Sequence, residues 1–467
     1  MIMLKKGKNL TKPYTVITCL LIILVIAPQS TISVSEQESL EEKVKESLKE
    51  SFHYLLSNID EDGLAVEYKT EDMIKATARL GLLAGYIHMG LRDYESLMVL
   101  NKIADALFRV STNLDDSIQD ERDKILTKYA LIEFSVTHYG LTGSETSKNM
   151  ILKSCSSLVE KLGWLPTTSC SSYLIYSGYI SYIAGGKISR DDIRISLEDV
   201  KEHYLEFINY TSWGGLNLAT GLEILSVALR TASIANIDPP AEVVALWITH
   251  LNHSLQYITQ ENSELPSEEI KAYLNAFISA LEVPYPTSLR NEAIVLSEEL
   301  AEKLLEYSLV GGRLLLQSRN AANYLVYDPS LNYIDIITIL RNHSKLKVYD
   351  LDIPIMLERL SRIENVKNAE KYRDASTTIA SIVSSSKPYF KVVDEKITPN
   401  QVLIDIIFST RFLATWYSLQ KLKPLPIAEL TIQTGGFSYI TLTSCSILLL
   451  TLLLLYRFGK LIREEEE

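Results

Sequence analysis

Apolar and small residues recur at helical spacing through most of the chain. The segment from Ile74 to Tyr86, with Ala76, Ala78, Leu80, Leu82, Leu83 and Ala84, predicts a helix ended by Gly90. A second such run, Tyr129 to Tyr139, reaches Gly140, and a third, Tyr176 to Ala184, reaches Gly185 and Gly186. Leu222 to Leu229 runs on to Asn236, Pro239 and Pro240, and Leu274 to Leu281 runs on to Pro284 and Pro286. These endings repeat about every 50 residues, a period that suits a helical hairpin. Between them lie more polar helices, Tyr94 to Val110 and Leu289 to Tyr307. Alternation of apolar and amphipathic helices predicts an all-α fold in two concentric layers. The last third departs from this pattern. Residues 309–317 and 332–340 are apolar but irregular, and Lys345 to Pro354 alternates like a strand or an extended loop. Helical texture returns over Met356 to Ser386 and Gln401 to Leu422.

The two ends carry a different signal. No charged residue lies between Lys12 and Glu36, or between Glu429 and Arg457. Lys5, Lys6, Lys8 and Lys12 precede the apolar run Tyr14 to Ile26, so residues 1–35 read as a signal peptide or signal anchor. Residues 437–456 have the length of a transmembrane helix, since about 20 apolar residues cross a bilayer. Arg457, Lys460 and Arg463 follow, and cationic flanks stay in the cytoplasm. The expected organisation is therefore an extracytoplasmic helical domain at 36–429 and a short stalk at 430–436. A span at 437–456 and a cytoplasmic tail at 457–467 follow, placing the protein in the cell membrane as a single-pass protein.

Charge and cysteine content narrow the partners. The chain has a formal net charge of −12, and residues 31–436 carry 39 basic and 54 acidic side chains. Nucleic acid is excluded, because phosphate binding needs a basic face. Membrane, envelope proteins and surface polysaccharide are the partner classes that remain. Cys155 and Cys170 are the only cysteines outside the apolar ends, and in an oxidising compartment they are expected to pair. Asn209, Asn252 and Asn342 open Asn-X-Ser/Thr sequons, potential glycosylation acceptors on an exported chain.

Several predicted units open alike, at Asp62-Gly63-Leu64, Gly163-Trp164-Leu165-Pro166 and Trp213-Gly214-Gly215-Leu216. With the 50-residue alternation, residues 40–300 resemble the α/α-toroid superfamily. The resemblance implies six or so hairpins circling a central cleft. Its members include glycosidase-like, epimerase-like and terpenoid-cyclase-like proteins, so it implies architecture and no single activity.

Candidate chemistry is sparse. Asn58-Ile-Asp60-Glu-Asp62-Gly63 matches the opening of a calcium loop, but Lys69 stands where the twelfth-position carboxylate belongs. It reads more simply as an acidic turn, leaving Asp60 and Asp62 as possible cleft acids. Glu223 sits between Leu222 and Ile224 in an apolar helix, where an acid is costly unless paired, so it is the leading catalytic acid. Its structural alternative is pairing with Arg230 or a backbone group. Tyr173, Tyr176, Tyr179 and Tyr182 recur every third residue and, with Trp213, form a candidate ligand platform or a packing stripe. His250 and His253 lack an HExxH context or a third ligand, so no metal is expected. No GxSxG, Walker or GxGxxG motif is present, and no cofactor is expected. Two functions follow: a surface scaffold or binding protein, or an enzyme on extracytoplasmic glycans acting as hydrolase, lyase or epimerase.

Overall fold

The computed structural model describes residues 40–66, 70–111, 118, 120–186, 189–212, 214–261, 265–285, 287–311, 351–385 and 399–422. The chain divides into two units, Met1–Pro426 and Ile427–Glu467, and the second lies wholly outside the described residues. The first unit is helical. Its opening helices are α1 (residues 40–57), α2 (Thr70–Leu91), α3 (Tyr94–Ser111), α4 (Glu121–Thr142) and α5 (Glu145–Leu162). Then come α6 (Cys170–Ala184), α7 (Arg190–Glu202), α8 (Tyr204–Thr211), α9 (Gly215–Ile234) and α10 (Ala241–Glu261). The last are α11 (Ser267–Leu281), α12 (Arg290–Gly311), α13 (Asp352–Ser361), α14 (Ala369–Ser385) and α15 (Pro399–Lys421). Among the described residues the only β contact is an isolated bridge, Ile59 with Ala65.

Alternate helices form an inner circuit. α2 packs on α4, α4 on α6, α6 on α9, α9 on α11, α11 on α13 and α13 on α15, and α15 returns to α2. Outside them, α3 covers α2, α5 covers α4, α7 covers α6, α10 covers α9, and α12 covers α11. α14 packs on both α13 and α15. The sequence explains the division. α2 buries Ala76, Ala78, Leu80, Leu82, Leu83, Ala84 and Ile87, which lie all round the helix, so it needs neighbours on more than one side. α3 buries Leu100, Ile103, Ala104 and Leu107 on one face and exposes Asn101, Lys102 and Asp105 on the other. That is the pattern of an outer helix.

Helix ends follow local chemistry. Asp120 caps α4 by accepting from the Arg122 and Asp123 amides at 2.7 and 3.2 Å. Gly143 closes α4 in the left-handed region at φ 70°, its N–H bonded to the Tyr139 carbonyl. Gly90 and Gly140, expected to end helices, lie inside α2 and α4 instead. At Gly140 a Cβ would lie 2.6 Å from the Ser177 carbonyl oxygen and 3.0 Å from Ile180 Cβ. A side chain there has no room against α6, so Gly140 is a packing glycine rather than a stop.

The expected disulfide is present: Cys155 of α5 is bonded to Cys170, the first residue of α6, with Cα atoms 5.5 Å apart. Two expectations are corrected. Asp352 to Pro354 open helix α13 rather than extending a strand-like segment. Proline is accepted in a first helical turn, where its missing N–H has no partner to lose; residues 345–350 lie outside those described. The expected fold class also included a C-terminal transmembrane helix. Among the described residues no helix is long and apolar enough to cross a membrane, so the supported class is all-α without that element. Residues 1–35, 430–436, 437–456 and 457–467, on which the leader, stalk, span and tail were expected, lie outside the described residues.

Gly140→Ala should lower the unfolding free energy by about 1–3 kcal/mol, because the new methyl meets a backbone oxygen that cannot turn aside. Urea denaturation reads this directly, and an unchanged midpoint would mean α4 and α6 do not meet there.

Candidate functional site

The inner circuit lines a cavity of about 790 Å³, and each of α2, α4, α6, α9, α11, α13 and α15 contributes to its wall. The charged and polar lining falls into two levels.

At the deep level stands Glu223 of α9. The Tyr176 hydroxyl of α6 and the Asn275 amide of α11 stand beside its carboxyl and favour its charged form. Burial pushes its pKa up, more than the Arg359 charge, Asn275 and Tyr176 together bring it down. Arg359 of α13 reaches into the same layer. It donates from Nη1 to Asn275 Oδ1 at 2.7 Å and from Nη2 to Ser279 Oγ at 2.9 Å. It also grips Glu282 of α11 with both ends of its fork, Nε to Oε1 at 3.1 Å and Nη2 to Oε2 at 2.7 Å. Arg230 of α9 donates to the same Glu282 oxygen. Its guanidinium lies 5.1 Å from the Tyr179 ring centroid and 5.3 Å from that of Tyr182. Burial works to raise the Glu282 carboxyl, and the two guanidiniums overcome it, holding its pKa below the usual range. The Tyr176–Glu223–Asn275 level is followed about two turns later by the Tyr182–Arg230–Glu282 level. The three helices therefore run parallel.

Nearer solvent, Asp352 at the start of α13 takes the Arg411 guanidinium of α15 on Oδ1 and Lys271 Nζ of α11 on Oδ2 at 3.2 Å. These side chains are 30–39 % exposed, against 10–11 % for Arg230, Glu282 and Arg359. The Arg411 guanidinium also stands beside the Tyr86 hydroxyl, whose pKa burial raises. Behind it, burial raises the Glu133 carboxyl against the opposing charges of Arg411 and Arg79.

The other sequence candidates fall elsewhere. Asp60 and Asp62 are exposed in the turn after α1 and do not line the cavity. Asp60 Oδ1 accepts from the amides of Asp62 at 2.9 Å and Leu64 at 2.8 Å, a turn-closing arrangement. The Lys102 and Arg109 side chains donate to the Asp60 and Asp62 carbonyls, and the Leu64 carbonyl, the one backbone oxygen such a loop would offer a calcium ion, accepts from the Asp60 amide at 2.9 Å. The tyrosine stripe divides: Tyr179 lines the cavity, Tyr176 stands beside Glu223, and Tyr182 faces Arg230. Tyr173 donates to the Thr167 carbonyl at 2.7 Å and belongs to packing. Trp213 lies outside the described residues. Both ring nitrogens of His250 are engaged, with the Leu246 carbonyl at 2.8 Å and Thr211 Oγ1 at 2.7 Å. No group of three or more His, Cys, Asp or Glu among the described residues could hold a metal ion. Asn209 is exposed and Asn252 half-buried; Asn342 lies outside the described residues.

Arg230 does not pair with Glu223, as sequence alone suggested, but with Glu282. Sequence reasoning missed Glu282, Arg359, Lys271, Asp352 and Arg411. The one signal available was Glu282 itself, an acid placed directly after the apolar run ending at Leu281. The chain matches no family model, no curated protein and no solved structure.

Glu282→Gln should cost about 3–5 kcal/mol of stability, since it strands two buried guanidiniums. Glu223→Gln should do the opposite at neutral pH. Because the folded Glu223 holds its proton to higher pH than the unfolded chain, stability falls as pH rises from the ordinary value of 4.5 through the raised one. The glutamine variant lacks that loss, so it should be the more stable protein above this window and equal to the parent below it. Thermal melts from acid to neutral pH check both signs.

Proposed function

We propose that the domain works outside the cytoplasm and takes a hydroxyl-rich, saccharide-type ligand into its central cavity, with Glu223 as the proton-transferring group. One observation carries the reading: a carboxyl pushed toward its protonated form faces a cavity of ligand size beside aromatic and amide groups. Small-molecule sites run from about 300 to 1,000 Å³, and this cavity falls within that range. Tyr179 and Tyr86 bring aromatic rings to the cavity wall and Asn275 and Thr137 bring polar side chains, the mixture a sugar's apolar faces and hydroxyls call for. A protonated Glu223 can donate to a leaving oxygen, the step shared by glycan hydrolysis and elimination. The Cys155–Cys170 bond supports an oxidising compartment. The acidic chain argues against a nucleic-acid ligand.

A scaffold reading has one feature in its favour. Tyr94, 75 % exposed, and Met98, 51 % exposed, stand one turn apart on the outer helix α3. Two residues make a small patch beside a cavity to which seven helices contribute, so the cavity is the better account.

A panel of polysaccharides and oligosaccharides, assayed for binding and turnover with the full chain, tests the proposal. Turnover should fall about 10²–10⁴-fold in Glu223→Gln while binding persists. Turnover that survives the substitution removes Glu223 from the chemistry, and absence of any saccharide binding removes the ligand class.

A further inference from the structure

Lys271 and Arg411 come from helices that flank α13 on either side of the circuit, and both end on one carboxylate, Asp352. All three line the cavity. We propose that Lys271 and Arg411 form a carboxylate seat at the cavity mouth, which Asp352 holds in competition with the carboxylate of an acidic saccharide. The inference rests on the cavity being the saccharide site and adds the substrate class: sugars bearing a carboxylate, of the uronic acid type.

Three observations argue for exchange rather than a fixed strut. First, the triad is the solvent-near level of the site, each side chain about a third exposed, so a ligand group can reach both cations. Ion pairs that water reaches are weak, so displacing Asp352 costs less than breaking the buried set. The Arg230–Glu282–Arg359 set, which is buried and four times bonded through Arg359, is the part built to stay. Second, burial pushes the neighbouring acids Glu133 and Glu223 toward their neutral forms, which weakens their competition for the two cations. Glu268 also lines the cavity, but it is exposed and screened by solvent. Third, the seat accommodates a carboxylate already, with one oxygen for each cation, which is the geometry a uronate would reproduce. An anionic ligand meets a generally acidic chain, and salt screening confines that repulsion to about 8–10 Å.

The test is titration calorimetry of the full chain with D-glucuronate and D-glucose at one fixed ionic strength. Glucuronate should bind about tenfold more tightly than glucose, the worth of a charge-assisted contact. Asp352→Asn removes the competitor and should tighten glucuronate several-fold relative to glucose. Lys271→Gln should bring glucuronate down toward glucose. A strut predicts the reverse for Asp352→Asn, weaker binding of both sugars with a lower melting temperature, and that result overturns the seat. Equal binding of the two sugars by the parent protein overturns the seat and leaves the cavity proposal standing. If neither sugar binds the parent or either variant, both proposals fall together.

Discussion

Everything at the centre of this protein depends on α15 closing against α2. The two helices lie at opposite ends of the described chain, and their contact completes the inner circuit. Gly90 marks how close the approach is, since a side chain there would collide with Leu48 and meet Ala414 Cβ at 3.5 Å. Thr410 Oγ1 donates to Ser51 Oγ at 3.0 Å, joining α15 to α1 beside the seam. Bringing such distant segments together costs less than intuition suggests, because loop-closure entropy grows only with the logarithm of length. Small residues make the contact possible, and the large buried side chains of α15, Phe412, Trp416 and Tyr417, supply its apolar burial. Closure also brings Arg411 beside Asp352 and Tyr86. Without it there is neither a mouth nor a wall.

A closed ring of helices creates an electrostatic problem that the charged side chains answer in two ways. In the deep layer, charges are drawn from α9, α11 and α13 and nearly every polar atom is engaged, because an unpaired ion there would cost several kcal/mol. Glu282 serves two arginines, so the deep set would carry an excess positive charge if Glu223 were neutral. That charge draws Glu223 toward ionisation while burial draws it toward protonation, and burial prevails. A group balanced between opposed influences is one whose proton a ligand can move. At the mouth, water screens the ions, so the same chemical groups contribute less to stability there than they do inside.

Much of this was legible in the sequence, and the reason is periodicity. The runs around Ala78, Phe134, Gly178, Leu225 and Phe277 announced helices, and each belongs to the inner circuit. The Cys155–Cys170 pair followed from cysteine count and compartment alone. Glu223 stood out because an acid between Leu222 and Ile224 has to be explained. What stayed hidden was pairing at a distance. Arg359 and Glu282 are separated by 77 residues, and nothing local to Arg359 marks it as buried. Asp352 fell in a stretch whose apolar alternation imitates a strand, and Pro354 hid the start of α13. Glycine was also ambiguous: Gly143 and Gly185 end helices through positive φ, whereas Gly90 and Gly140 are there to let helices touch. A single letter serves both purposes, and only the third dimension separates them.

The contrast between the acids that sequence proposed shows what separates a site from a solvated turn. Asp60 is satisfied by its own loop, its oxygen capping the amides of Asp62 and Leu64. Such an acid needs nothing from a ligand, and its partners come from residues within one turn. Glu223 draws Tyr176, Asn275 and Arg359 from three different helices, and its burial is still not fully compensated. Its environment exists only when the ring is closed, and it is expensive to maintain. Local chemistry builds turns, whereas Glu223 is held in a costly state by elements distant in sequence. That asymmetry separates it from the acids of a solvated turn.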